Sequence, residues 1–265
     1  MPDPQSPATT LPSFESGPQR PARVHRDVVS FVRRSARMND SQRRAWEQWS
    51  TSRVVRLPQG ETDTSLAADV RVDWSEVFGR TAPLLVEIGS GTGDSLVPMA
   101  KAHPEANVVA FEVFQPAVAN TLGKLAREGV DNVRIVMADG QQGLERLFDE
   151  GSISELWLFF ADPWHKTRHH KRRLVSTDFA ALVRSRMVTG GRWRLATDWQ
   201  DYAEWMREVL DVAPGWTNEH LDADDPDSGW APRLDLRPVT KYERKGLEAG
   251  RTIRDLTYRA VAVDE

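Results

Sequence analysis

Between residues 83 and 263 short apolar runs alternate with amphipathic stretches, which restricts the 265-residue chain to few architectures. Leu84, Leu85, Val86 and Ile88 form a run closed by Gly89, the pattern of a strand buried on both faces. Similar reasoning predicts strands over 107–113, 133–138, 155–161 and 192–197, with a last one over 256–263. Between them, helices are predicted over 95–103, 116–128, 142–148, 177–187 and 202–212. Pro116 at the start and Gly129 just past the end bracket the second helix. Gly190 and Gly191 mark the turn into the strand at 192. The alternation specifies an α/β fold with a mostly parallel sheet and helices on both faces. Ligands in such sheets bind at the carboxyl ends of the strands, so the residues after each strand carry the functional question.

The segment before residue 83 reads differently. Residues 1–22 contain Pro2, Pro4, Pro7, Pro12, Pro18 and Pro21 and few large apolar side chains, the composition of a disordered leader. Residues 23–49 suggest an arginine-rich helix with apolar points at Val28, Val29, Phe31 and Val32. Residues 50–80 are mixed, with a turn at Pro58 and Gly60. The expected organisation is a leader over 1–22 and one domain over 23–265, including an extension over 23–80. No apolar run approaches the roughly 20 residues of a bilayer span, and no secretory pattern is visible. The chain has no cysteine, which removes disulfides, thiolate metal sites and cysteine nucleophiles and agrees with a reducing cytoplasm.

After the first strand stands Glu87-Ile88-Gly89-Ser90-Gly91-Thr92-Gly93. Gly89, Gly91 and Gly93 let the backbone turn tightly and admit a ligand without Cβ interference; a plain strand–helix turn is the alternative. Glu112, near the end of the second strand, can accept hydrogen bonds from both ribose hydroxyls of a nucleoside; a helix-capping or surface acid is the alternative. Asp139, after the third strand, can take an exocyclic adenine amine or cap the next helix. A dinucleotide normally uses G-x-G-x-x-G with phosphate at the helix N-terminus. Here the spacing is G-x-G-x-G and carboxylates flank it, which suits a cationic ligand better. S-adenosylmethionine, with a sulfonium, an ammonium and a nucleoside, is the favoured reading.

The formal net charge of −4 hides a local imbalance. From His165 to Arg173 there are five Lys or Arg residues, three His and no acid. This run follows the fourth strand as Asp162-Pro163-Trp164-His165-Lys166-Thr167-Arg168-His169-His170-Lys171-Arg172-Arg173. Asp162 falls where the reacting group of the cofactor is expected, Trp164 offers a face for stacking a base, and the cations offer phosphate contacts. A solvated basic loop is the plainer alternative. His165 and His169 have metal-ligand spacing, but the surrounding cations and the lack of a third ligand exclude a metal.

Asp162 to Arg173, taken with Arg237-Pro238-Val239-Thr240-Lys241-Tyr242-Glu243, resembles the bacterial tRNA (guanine-N7)-methyltransferases. Ser30-Phe31-Val32-Arg33-Arg34 is similar to their N-terminal segment. The resemblance covers about residues 24–260 and implies a Rossmann-like class I methyltransferase. Its sheet would have seven strands, the last antiparallel. It implies methyl transfer from S-adenosylmethionine to N7 of a guanine in tRNA, the variable-loop guanine in this family. Glu87, Glu112, Asp139 and Asp162 fall on its cofactor positions, with Asp162 also its catalytic one, and Gly89, Gly91 and Gly93 form the loop. Lys166, Arg168, His169, His170, Lys171, Arg172, Arg173, Asp198, Thr240, Lys241, Tyr242 and Glu243 correspond to the tRNA-contacting set. Ser90 stands where an aromatic is common and Gly140 where alanine is usual. The rivals are a non-catalytic RNA-binding subunit of the same fold, a nicotinamide oxidoreductase, and a methyltransferase for another substrate.

Overall fold

The computed structural model describes residues 37–225 and 227–263. The leader over 1–22, the Ser30–Arg34 motif and most of the expected arginine-rich helix lie outside them. The first described helix, α1 (Asp40–Arg53), begins at a capping box in which Asn39 and Gln42 exchange side-chain and backbone hydrogen bonds.

Among the described residues one sheet of eight strands organises the fold: β1 (Val54–Val55), β2 (Leu84–Ile88), β3 (Asn107–Phe111), β4 (Val133–Val136), β5 (Ile153–Phe159), β6 (Met187–Thr197), β7 (Trp216–Asn218) and β8 (Arg254–Ala260). Their order is β1-β4-β3-β2-β5-β6-β8-β7. β8 runs antiparallel to both β6 and β7, and the other pairings are parallel. The seven strands β2 to β8 form the expected sheet. The eighth, β1, is two residues added to the β4 edge, Val54 opposite Ile135.

Helices cover both faces. α3 (Leu96–Ala102) and α4 (Gln115–Glu128) close one core around Val108, Leu122 and Trp157, with Trp46 and Trp49 of α1 packed against it. α2 (Trp74–Phe78), α5 (Gly140–Leu147), α6 (Thr177–Arg186) and α7 (Gln200–Leu210) belong to the face whose core includes Phe111, Phe179 and Trp193. α8 (Lys241–Glu248) precedes the last strand.

Two boundaries differ from the sequence expectation for visible reasons. β5 ends at Phe159 because Phe160 takes a left-handed backbone (φ 54°), which places Ala161 and Asp162 in the following loop. β6 starts at Met187 and runs through Gly190 and Gly191. The glycines make a bulge inside the ladder, where pairing jumps from Ile153–Met187 to Glu155–Arg192. Among the described residues no helix is long and apolar enough to cross a membrane.

Candidate active site

The carboxyl ends of β2, β3, β4 and β5 open into one cavity of about 540 Å³. It lies where the strand order reverses between β2 and β5. Gly91 and Gly93 take φ of 54° and 74°, values that side chains resist, and a Cβ on Gly93 would sit 2.8 Å from the Thr121 side chain. The loop is stitched to β3: Gly89 N–H donates to the Phe111 carbonyl at 2.9 Å and Gly91 N–H to Glu112 Oε2 at 2.8 Å. Glu112 Oε1 accepts the Phe114 N–H at 2.8 Å, so this acid shapes the loop as well as facing the cavity.

Glu87 is 3% exposed, and its Oε2 has no hydrogen-bond partner among the described residues. Burial, and then the neighbouring Glu112 charge, push its pKa up to about 8. Burial also raises Glu112, against the pull of the Phe114 and Gly91 amides. A buried, unpartnered carboxyl beside a second one is a poor host for phosphate and a good one for a cation. Asp139 caps α5, accepting the Gln142 N–H at 3.0 Å, and lines the same cavity. Its capping and ligand-facing readings are therefore compatible. At Gly140 a Cβ would lie 2.5 Å from Ile88 Cγ2, so the glycine is matched to the isoleucine of β2.

Asp162 lines the cavity from the loop after β5. The loop backbone is unusual on both sides of it: Phe160 and Trp164 (φ 48°) are the two non-glycine residues with positive φ among those described. A 3-10 turn at Thr167–Arg172 then holds the basic run. Lys166, Arg168, Lys171 and Arg172 are exposed, and Arg172 stacks over the Trp164 ring at 4.8 Å. His165 packs on Trp199 and His169 meets the edge of Trp164, so the two spaced histidines serve different aromatic neighbours. Partial burial and then the surrounding cations lower the pKa of His169, which makes it a poor source of positive charge. Among the described residues no cluster of three or more ligating side chains could hold a metal.

Arg173 turns inward, and its side chain is 1% exposed. His170 goes with it, its Nε2 3.1 Å from Arg173 Nη2. Arg173 is buried and His170 half-buried, whereas the four other cations of the run are exposed. The opposite wall comes from α8. Thr240 caps the helix and reaches the cavity with Lys241 and Tyr242, whose ring side chain is exposed at the mouth. Glu243 faces away, buried and paired with Arg233 at 2.6 Å. Asp198 does not line the cavity. It pairs with Arg251 at 2.7 Å and packs where Gly246 of α8 leaves room.

Arg237 is the residue that sequence reasoning undervalued. It is 0% exposed, paired with Asp255 at 2.8 Å, and its guanidinium lies 5.1 and 5.4 Å from the rings of Phe159 and Phe160. It therefore joins the α8 wall to the end of β5. The only sequence signal was its place at the head of the Thr240–Glu243 motif.

Comparison with known proteins is consistent with this geometry. A family model described as "Putative methyltransferase" matches residues 81–256. A tRNA (guanine-N(7)-)-methyltransferase of Cutibacterium acnes is 55% identical, over 90% of this chain and 85% of its own length. The enzyme of the same description from Pseudomonas syringae pv. tomato is 42% identical over 98% of this chain and 100% of its own. One from Paenarthrobacter aurescens is 40% identical over 87% and 91%. Among solved structures, the 16S rRNA methyltransferase KamB gives a TM-score of 0.51 at 17% identity. The match covers 78% of this chain and 100% of that one, a likeness of fold.

Proposed function

The chain belongs to the tRNA (guanine-N7)-methyltransferases, and from that premise we propose how its own residues carry out the transfer. It is an enzyme that methylates N7 of a guanine in tRNA with S-adenosylmethionine as donor. The observation that carries the assignment of the site is the buried Glu87 carboxyl, unpartnered at Oε2 and facing a cavity with Glu112. Such a donor set fits a ligand that brings cationic groups and a ribose. Glu87 and Glu112 would hold the cofactor with Asp139, and the loop of Gly89, Gly91 and Gly93 would admit it. When bound, S-adenosylmethionine supplies an electrophilic methyl group on a sulfonium.

Guanine N7 presents a free lone pair, so the chain needs no strong base to remove a proton. Its task is to hold the purine in line for attack, which is a matter of position. Positive charge builds on the purine during transfer. The Asp162 carboxylate, at the cavity edge, is suited to stabilise that charge and to accept hydrogen bonds from N1–H and the amino group. Lys166, Arg168, Lys171 and Arg172 supply exposed charge for the RNA backbone, with Thr240, Lys241 and Tyr242 across the mouth. The variable loop is the substrate region this reading expects, and a tRNA substrate agrees with a cytoplasmic location.

The test is incubation of bulk tRNA with labelled cofactor, followed by nucleoside analysis. N7-methylguanosine is expected from the wild type. Asp162→Ala should keep its fold by circular dichroism and lose most methyl transfer. Unchanged turnover by Asp162→Ala would remove that residue from the mechanism.

A further inference from the structure

The basic run contains two adjacent arginines that the fold sends in opposite directions. Arg172 stacks on the Trp164 ring from the solvent side. Arg173 enters the protein, where its guanidinium lies over Tyr202 at 5.1 Å and Trp205 at 5.3 Å. Its Nη2 pairs with Asp201 and lies 3.1 Å from His170 Nε2. Its Nε donates to the carbonyl of Pro163 at 3.0 Å. That last bond ends on the residue immediately after Asp162.

Left-handed backbone at Phe160 and Trp164 persists only if the surroundings hold it there. On the Phe160 side the hold is a backbone bond, Phe160 N–H to the Ala196 carbonyl at 2.7 Å. On the Trp164 side it includes the Arg173 fork, which reaches Pro163 through one nitrogen while another engages Asp201. Tyr202, beneath the fork, is within electrostatic reach of both Arg173 and Asp162. With Nε and Nη2 engaged and the side chain 1% exposed, the guanidinium offers little to a phosphate.

We propose that Arg173 is a positioning residue for Asp162, fixing the Asp162–Pro163–Trp164 turn against α7, and that it does not bind the RNA backbone. The proposal rests on the reading of Asp162 given above. It also explains why arginine suits the position: lysine can match the charge of Asp201, but it has no Nε–H to reach Pro163 at the same time.

Steady-state kinetics on tRNA of Arg173→Lys, Arg173→Gln, Lys171→Gln and Asp162→Asn tests this, with turnover expressed per cofactor site counted by calorimetry. That normalisation removes any loss of folded protein from the result. Both Arg173 variants should lose about 100-fold in kcat, the scale of a misplaced catalytic group, with KM for tRNA within about twofold of wild type. Their dependence of tRNA binding on salt should match wild type. Lys171→Gln should show the reverse split, a higher KM and a salt slope shallower by about 0.7–0.9. A raised KM and a shallower salt slope for Arg173→Gln, with kcat intact, would make Arg173 a phosphate ligand and overturn the proposal. Full rescue of kcat by lysine would overturn it too, because charge alone would then suffice. Wild-type turnover by Asp162→Asn would instead defeat the underlying reading. Loss of turnover there with normal kcat in the Arg173 variants would defeat only this proposal. If neither Arg173 variant folds, Asp201→Ala, which removes the acceptor of the fork, should lower kcat at constant KM; wild-type kinetics for it would overturn the proposal.

Discussion

On the strand-end wall of the cavity, charge is scarce and buried; on the lip after β5 it is abundant and mostly in solvent. Glu87 is sealed from water without a counter-charge, whereas Lys166, Arg168, Lys171 and Arg172 stand exposed within seven residues. Low local dielectric makes each charge on the first wall decisive, and solvent screening makes each on the second replaceable. On the proposed reading the wall would select one small cation, and the lip a polyanion of any sequence. Arg173 is the exception that marks the boundary: chemically a member of the lip, it is physically a member of the buried framework.

The largest effect on binding is expected at Glu87. Glu87→Gln should weaken cofactor binding by about 30-fold or more, the scale for removing one side of a buried charge contact. Calorimetry measures it, and an unchanged affinity would erase the distinction between the two walls. The same residue predicts a pH dependence. Its folded-state pKa is raised from 4.5 to about 8, so the free folded protein binds this proton more tightly than the unfolded chain. The stability contributed by the neutral carboxyl is present in full below pH 4.5 and is lost as pH rises to about 8. Glu87→Gln, which cannot ionise, should therefore melt higher than wild type at pH 9, with a smaller difference at pH 5. Cation binding favours the carboxylate, so wild-type cofactor affinity should rise with pH and level off above about 8, with proton release at pH 7.

The strand-end wall was also the legible one. In a parallel sheet the end of each strand has a fixed address, so Glu87, Gly89, Gly91, Glu112, Asp139 and Asp162, which line the cavity, could be read onto one crevice from their places after the strands, although a plain turn or a cap stayed open for some of them until the resemblance joined the acids. The lip was not, because a run of like charges has no periodicity to say which members face inward. Arg172 and Arg173 have similar neighbours in sequence. What separates them is the aromatic pair Tyr202 and Trp205, one turn apart on α7 beside Asp201, which offers a buried seat to a single cation. That spacing was visible and was read only as a helix. β1, β7 and α2 escaped because two to five residues are too few to show a period. Asp198 and Glu243 belong to the tRNA-contacting set that the resemblance implies; the partner of Asp198, Arg251, is distant in sequence, and that of Glu243, Arg233, stands ten residues back with no periodicity linking the two.

An intermediate effect tests how tightly the wall is packed. Gly140→Ala would place a Cβ 2.5 Å from Ile88 Cγ2, one residue beyond Glu87. Overpacking of this kind costs about 1–3 kcal/mol, and thermal melts should show it as a lowered midpoint. Ile88→Ala should be destabilising alone, through the cavity it leaves, yet the double variant should be more stable than the sum of the two predicts. Strict additivity would show that Gly140 and Ile88 are not a matched pair.

The smallest individual effects belong to the lip. Lys166→Gln, Arg168→Gln, Lys171→Gln and Arg172→Gln each remove one exposed charge, so each should lower tRNA affinity modestly and reduce the salt slope by about 0.7–0.9 where the side chain meets a phosphate. Because screened contacts are nearly independent, the slopes should fall in proportion to the number of substitutions, and cofactor affinity should not move. His169→Gln should change the slope least, since partial burial and the surrounding cations lower the pKa of its ring. Arg172 is the member most apt to depart from the series, as it also covers the Trp164 face at 4.8 Å. A loss of kcat at Arg172→Gln beyond that of its three exposed neighbours would place the boundary between framework and surface one residue earlier. Equal behaviour of all four would leave it between Arg172 and Arg173.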